Sequence, residues 1–178
     1  MRPVVLVLLL GSLMMPAQEA CLVAYTLMYA LAQKEGHAKR PVGYPYLISF
    51  NRKEDAGLAG SIFPKEGWID RRTYDCGDER FCIAALEALD AYGIDNVDLG
   101  AFSINAHWWP DDPSVYFDLG KSYKKACEIT EENARRYGWS WETLGRYHIA
   151  PEADQKRNES YYRDVMRLYV NWKEGAIQ

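Results

Sequence analysis

Four places in this 178-residue chain combine residue types and spacings that can do chemistry. The first is Glu35, which ends an apolar segment beginning at Cys21 and is followed by Gly36-His37. A carboxylate beside apolar surface is costly to ionise, so its pKa rises. A carboxylic acid still protonated near neutral pH can protonate a leaving oxygen, which is what cleavage of a glycosidic bond requires. By position alone the same residue also fits a surface glutamate at a helix end. The second place is Asn96-Val97-Asp98-Leu99-Gly100-Ala101-Phe102-Ser103-Ile104-Asn105. Its Gly100, inside an apolar run, lets a backbone or a ligand come close, and Ser103 and Asn105 can hydrogen-bond a polar ligand. The third is Arg146-Tyr147-His148, where a tyrosine hydroxyl can orient a carboxylate and a histidine can act as a base. The fourth is aromatic: Trp108-Trp109, Trp139, Trp141, Tyr44 and Tyr46. Aromatic faces pack against the C–H faces of sugar rings, although most aromatics in a small protein belong to its core.

The elements that must position these residues are mostly helical. Cys21 to Lys34 reads as a helix apolar nearly all round, hence buried, with Gly36 as its stop. Pro41 to Asp75 is expected to be non-helical and irregularly β, with Tyr46 to Phe50 strand-like and Gly57, Gly60 and Pro64 as breakers. Asp78 to Tyr92 reads as a second helix ended by Gly93, and Asp95 to Asn105 as a loop or turn-rich segment. Pro113 to Tyr137 is expected as one long helix opened by Asp111-Asp112-Pro113. Ser140 to His148 and Asn158 to Trp172 complete the set, the last with Tyr161, Val165, Leu168 and Trp172 on its apolar stripe. The fold class is therefore mainly α, α+β, with a small β-region between the first and second helices.

Length and a 48% hydrophobic content suit one domain with a sizeable core. Val4 to Leu10 is an unbroken apolar run behind Arg2, too short to span a bilayer and followed by Pro16-Ala17. Residues 1–17 thus read as an export signal cut after Ala17, and 18–178 as the single domain, exported to the periplasm. A retained anchor and a lipid on Cys21 are the alternatives. Loss of that segment removes one positive charge, leaving about −5 in place of −4, and no basic face calls for nucleic acid.

In an oxidising compartment four cysteines suggest two disulfides. Cys76 and Cys82 bracket a short local loop, which leaves Cys21 for Cys127. The second bridge closes more than 100 residues, worth up to roughly 5 kcal/mol in the chain-entropy model. Zinc is disfavoured, because the spacing contains no C-x-x-C pair.

Taken in order, a helix-end Glu35, the Gly100-Ala101-Phe102-Ser103-Ile104-Asn105 turn and Tyr147 some forty residues later resemble the soluble lytic transglycosylase domain. The likeness spans Cys21 to about Trp172 and is nearest to the small transglycosylases that accompany conjugation, secretion and pilus machines. The chain departs from the family pattern at Gly36 (usually Ser), Ser103 (usually Gln) and His148 (usually Asn). The resemblance implies a lysozyme-like fold and cleavage of the β-1,4 bond between N-acetylmuramic acid and N-acetylglucosamine in peptidoglycan, with no metal or organic cofactor. It implies Glu35 as the acid, Tyr147 as the group hydrogen-bonded to it, and contacts to glycan from Gly100, Ala101, Phe102, Ser103, Ile104, Asn105, Tyr44 and His148. A lysozyme-type hydrolase and a non-catalytic peptidoglycan-binding assembly protein are the rival readings.

Overall fold

Residues 21–175 are described by the computed structural model, so the export signal expected over residues 1–17 lies outside the described residues. Helix α1 (Tyr25–Glu35) buries Met28, Ala30, Leu31 and Ala32. It starts later than expected because Cys21 to Ala24 are held differently. Cys21 is bridged to Cys127, and the Leu22 N–H donates to the Glu131 carboxylate at 2.6 Å. With its sulfur in the bridge, Cys21 has none to offer a lipid. Cys76 and Cys82 form the second disulfide. Both pairings are the expected ones, and they fit an oxidising, exported environment.

Strand β1 (Leu47–Phe50) is followed by a helix where none was expected, α2 (Lys53–Ile62). Glu54 and Asp55 favour its first turn. Gly57 and Gly60 do not break it: each costs helix propensity, but both sit inside a turn secured by burial of Ala56 and Ala59. Strand β2 (Thr73–Asp75) then pairs with β1. Helix α3 (Glu79–Ala91) is capped by the Asp78 side chain and ends before Gly93.

Residues 97–105 form structure too. Strand β3 (Val97–Leu99), a 3-10 turn over Gly100–Phe102 and strand β4 (Ile104–Asn105) complete an antiparallel sheet of order β2-β1-β3-β4. Ile48 faces Leu99 across β1 and β3, and Asp98 faces Asn105 across β3 and β4. The alternation of buried Val97 and Leu99 around Asp98 is the period-two pattern of a strand with one face on the core.

The long helix expected from Pro113 is two helices, α4 (Pro113–Phe117) and α5 (Leu119–Tyr137). Asp118 separates them. Its backbone is extended and its side chain accepts the Lys121 N–H at 2.8 Å, an N-cap in mid-segment. Helix α6 (Trp141–Gly145) is capped by Ser140, and α7 (Gln155–Lys173) by Asp154. Helix α7 packs along α1 and α6. One cluster containing Met28, Leu31, Phe50, Leu99, Phe117 and Val165 joins helices and sheet. No helix among the described residues is long and apolar enough to cross a membrane.

Candidate functional site

Helix α1 ends on Glu35 because Gly36 turns the chain into extended backbone (φ −68°, ψ 160°) while its N–H still donates to the Ala32 carbonyl. The glycine is therefore not a left-handed stop. It is needed for space, since a Cβ there would lie 2.9 Å from that carbonyl oxygen.

The last carbonyl of α1 needs a partner outside the helix. Ser103 supplies it: its hydroxyl donates to the Glu35 carbonyl oxygen at 3.1 Å. Ser103 is the only non-glycine residue with positive φ (46°) among the described residues. Left-handed backbone at a serine costs free energy and is retained where neighbours over-determine it. Here the neighbour is Gly100, also at positive φ, where a Cβ would meet the Tyr116 carbonyl oxygen at 2.0 Å.

The Glu35 side chain lies at a cleft of about 560 Å³. From the sheet side come Asn51, Asn96, Asp98, Asn105 and Trp108, and from the segment between α6 and α7 come Arg146, Tyr147, His148 and Ile149, with Arg157 from α7 itself. Burial pushes the Glu35 carboxyl up to about 7, and the nearby charge of Asp98 adds to the rise. A hydrogen bond from Tyr161 and the charge of Lys34 pull in the other direction. An acid poised there is half protonated at neutral pH and can both give and take a proton.

The expected partner of Glu35 was Tyr147, and the structure corrects this. The Tyr147 hydroxyl donates to the Phe102 carbonyl at 2.8 Å. The hydroxyl on Glu35 Oε1 belongs to Tyr161, from α7. Burial holds both tyrosines well above their usual pKa, with the Glu35 charge adding to it, so both remain donors. Tyr161 was visible in the sequence only as an apolar-stripe residue, but a buried tyrosine hydroxyl on such a stripe needs a partner.

The other expected residues divide. Ser103, Ile104, Asn105, Tyr147 and His148 line the cleft. Gly100, Ala101 and Phe102 are buried behind it and hold its wall. Tyr44 is elsewhere: its hydroxyl donates to Asp75 at 3.0 Å, beside the Arg40–Asp75 ion pair. Of the aromatic set only Trp108 and Trp109 reach the cleft; Trp139 lines a separate surface recess with Leu22 and Glu132, and Trp141 packs on Tyr169. Trp108 is 70% exposed. Asn105 sets this loop, donating to Asn96 and Asp98 at 2.8 Å each and accepting the N–H groups of His107 and Trp108.

Asn51 and Arg157 were not singled out from sequence, and Asn96 and Asp98 were noted only as members of the 96–105 segment, with no role of their own. Asp98 is the most consequential: its carboxyl is raised by burial, against hydrogen bonds from Asn51 and Asn105 and the charge of Arg72. Its signal was a carboxylate between two buried strand positions. All four cysteines are in disulfides, which leaves no thiolate for a metal. No family model, no curated protein and no solved structure matches this chain.

Proposed function

We propose that the protein is a lytic transglycosylase that cuts the N-acetylmuramic acid to N-acetylglucosamine bond of peptidoglycan, with Glu35 as its acid and base. The observation that carries this reading is a helix-end glutamate raised to about 7 on an open cleft and held by a tyrosine hydroxyl. A helical body with a small antiparallel sheet flanking such a cleft supports a lysozyme-like fold, and the order of Glu35, Gly100 to Asn105 and Tyr147 supports the transglycosylase resemblance. Protonated Glu35 gives its proton to the leaving glycosidic oxygen. The resulting carboxylate takes the proton of the C6 hydroxyl of the same muramic acid, whose oxygen closes a 1,6-anhydro ring at C1. Tyr161 holds the carboxyl through both steps, and Trp108 offers a face for a sugar ring. In the periplasm such an enzyme opens the wall locally, and a partner among envelope-spanning secretion, conjugation or pilus machines fits that role.

One observation favours a second reading, hydrolysis. Asp98 is a second carboxylate on the same cleft, and glycosidases that use water commonly employ two. Digestion of purified sacculi with mass spectrometry of the products separates the readings. Anhydro ends support the transglycosylase, and reducing ends one water heavier support the hydrolase. Binding without turnover, or unchanged turnover by Glu35→Gln, refutes both.

A further inference from the structure

The cleft is chemically lopsided about Glu35. The sheet side offers amides, the Asp98 carboxylate and the Trp108 ring. The other side offers cations, and most of these are already neutralised. Lys34 is paired with Asp164 at 2.7 Å, and Arg146 with Glu152 at 2.5 Å. On α7 itself, Arg163 is paired with Glu159 and Arg167 with Asp164. Arg157 differs from all of them. Among the described residues no carboxylate lies within ion-pair distance of it, and its side-chain hydrogen bond goes to a neutral acceptor, Nη2 donating to His148 Nε2 at 3.2 Å.

Arg157 is an exposed residue whose guanidinium is placed by the ring it bonds. The His148 ring stacks on the Tyr161 ring, centroids 4.9 Å apart and 10° between planes. Tyr161 in turn holds Glu35. The guanidinium is thus tied through two rings to the carboxyl that does the chemistry. His148 accepts the Arg157 hydrogen bond as a neutral imidazole, and burial together with the charges of Arg157 and Lys34 lowers its pKa. Arg157 and Glu35 line the 560 Å³ cleft together and also a smaller recess of about 270 Å³ with Lys34, His148, Ser160 and Tyr161. A planar guanidinium with free N–H groups, beside a catalytic acid and facing a cavity, is suited to bidentate recognition of a carboxylate.

We propose that Arg157 forms a carboxylate-recognition subsite in the Glu35 cleft, reading an acidic group carried on the lactyl branch of a muramic acid unit and thereby fixing which way the glycan strand lies. The subsite rests on the glycan-cleft reading given above. The sheet side has no cation among its lining residues to receive the same group, so one orientation of the strand is favoured. The carboxylate has two sources: the lactyl acid itself in strands stripped of peptide, or the acids of a stem peptide attached to it.

The test measures binding by Glu35→Gln protein, which cannot turn over its ligand, to three glycans of matched length: a neutral chitin oligosaccharide, peptide-stripped muramyl strands and strands that keep their stem peptides. Adding Arg157→Gln is expected to weaken binding to at least one acidic glycan about tenfold and to leave the chitin oligosaccharide unchanged, since hydrogen bonds between charged groups are the stronger ones. The acidic glycan that loses affinity names the source of the carboxylate. Adding Arg157→Lys is expected to restore part of the loss through charge alone. Equal affinity with and without Arg157 for all three glycans overturns the subsite while leaving the cleft intact. Equal weakening for all three, the neutral one included, overturns it as well, because a structural role then suffices. Failure of the Glu35→Gln parent to bind any of the three removes the glycan cleft and the subsite with it.

Discussion

Replacing Glu35 by Gln tests the raised acidity without reference to any substrate. In the folded protein the carboxyl titrates near 7, against 4.5 for an unperturbed glutamate. Below about pH 4.5 both folded and unfolded chains hold the proton, and this group does not distinguish them. Between there and pH 7 the unfolded chain releases a proton that the folded chain keeps. Stability therefore falls as pH rises, and the fall levels off above the folded pKa. At 1.36 kcal/mol per pH unit the whole loss amounts to about 3 kcal/mol, an upper bound because the group is partly open to the cleft. The amide introduced by Glu35→Gln never ionises, yet it keeps the shape and an acceptor oxygen for Tyr161. The stability of Glu35→Gln relative to the parent should thus grow by up to about 3 kcal/mol from pH 4 to pH 8. For a domain of this size that is roughly 6–12 °C in Tm. Thermal melts of both proteins by circular dichroism, at four pH values across that range, read the difference directly. Other titrating groups are common to both proteins and largely cancel. A difference in Tm that stays constant across the range, or shrinks as pH rises, would refute the argument that burial holds this carboxyl protonated.

Three further outcomes follow from the same geometry. Tyr161→Phe removes a hydrogen bond that favours the ionised carboxylate, so the alkaline limb of the pH–rate profile should move up by about one pH unit while kcat falls. Trp108→Ala should weaken glycan binding roughly three- to tenfold and leave Tm nearly unchanged, because the ring is 70% exposed, a split that titration calorimetry and a thermal melt resolve. Removing the Cys21–Cys127 bridge, whose cysteines are 106 residues apart, should cost about 5 kcal/mol, against about 2 kcal/mol for Cys76–Cys82, 6 apart, as read from urea unfolding of the paired Cys→Ser variants.

What was legible in the sequence was whatever local chemistry decides. The helix starts at Asp78 and Ser140, the Gly93 stop and the short Cys76–Cys82 loop all act over a few residues, and the chain follows them. The errors arose where local signals conflicted with packing. Gly57 and Gly60 read as breakers, but burial of Ala56 and Ala59 outweighs their propensity cost. Asp118 read as one polar residue inside a helix, although an aspartate is equally a cap, and here it starts a new helix. Val97 to Leu99 was too short for a period-two pattern to stand out, and its pairing with β1 supplies what propensity does not.

The two tyrosines show why the acid was easier to find than its partner. Glu35 is marked by neighbours along the chain: an apolar helix before it and Gly36 after it. The partner is marked by nothing nearby. Tyr161 is 126 residues away, and its hydroxyl arrives because α7 lies along α1, a packing relation that spacing does not encode. Tyr147 lies on the same cleft, as its place in the motif order implied, but its hydroxyl meets the Phe102 carbonyl first. That bond still bears on Glu35. Phe102 precedes Ser103, and Ser103 holds the Glu35 carbonyl. Tyr161 therefore secures the acid at its carboxyl, and Tyr147 secures it through the wall behind. The two roles differ in kind: loss of the Tyr161 hydroxyl changes the acidity of Glu35 directly, whereas loss of the Tyr147 hydroxyl leaves the Phe102 carbonyl without its donor and loosens the strained turn at Ser103.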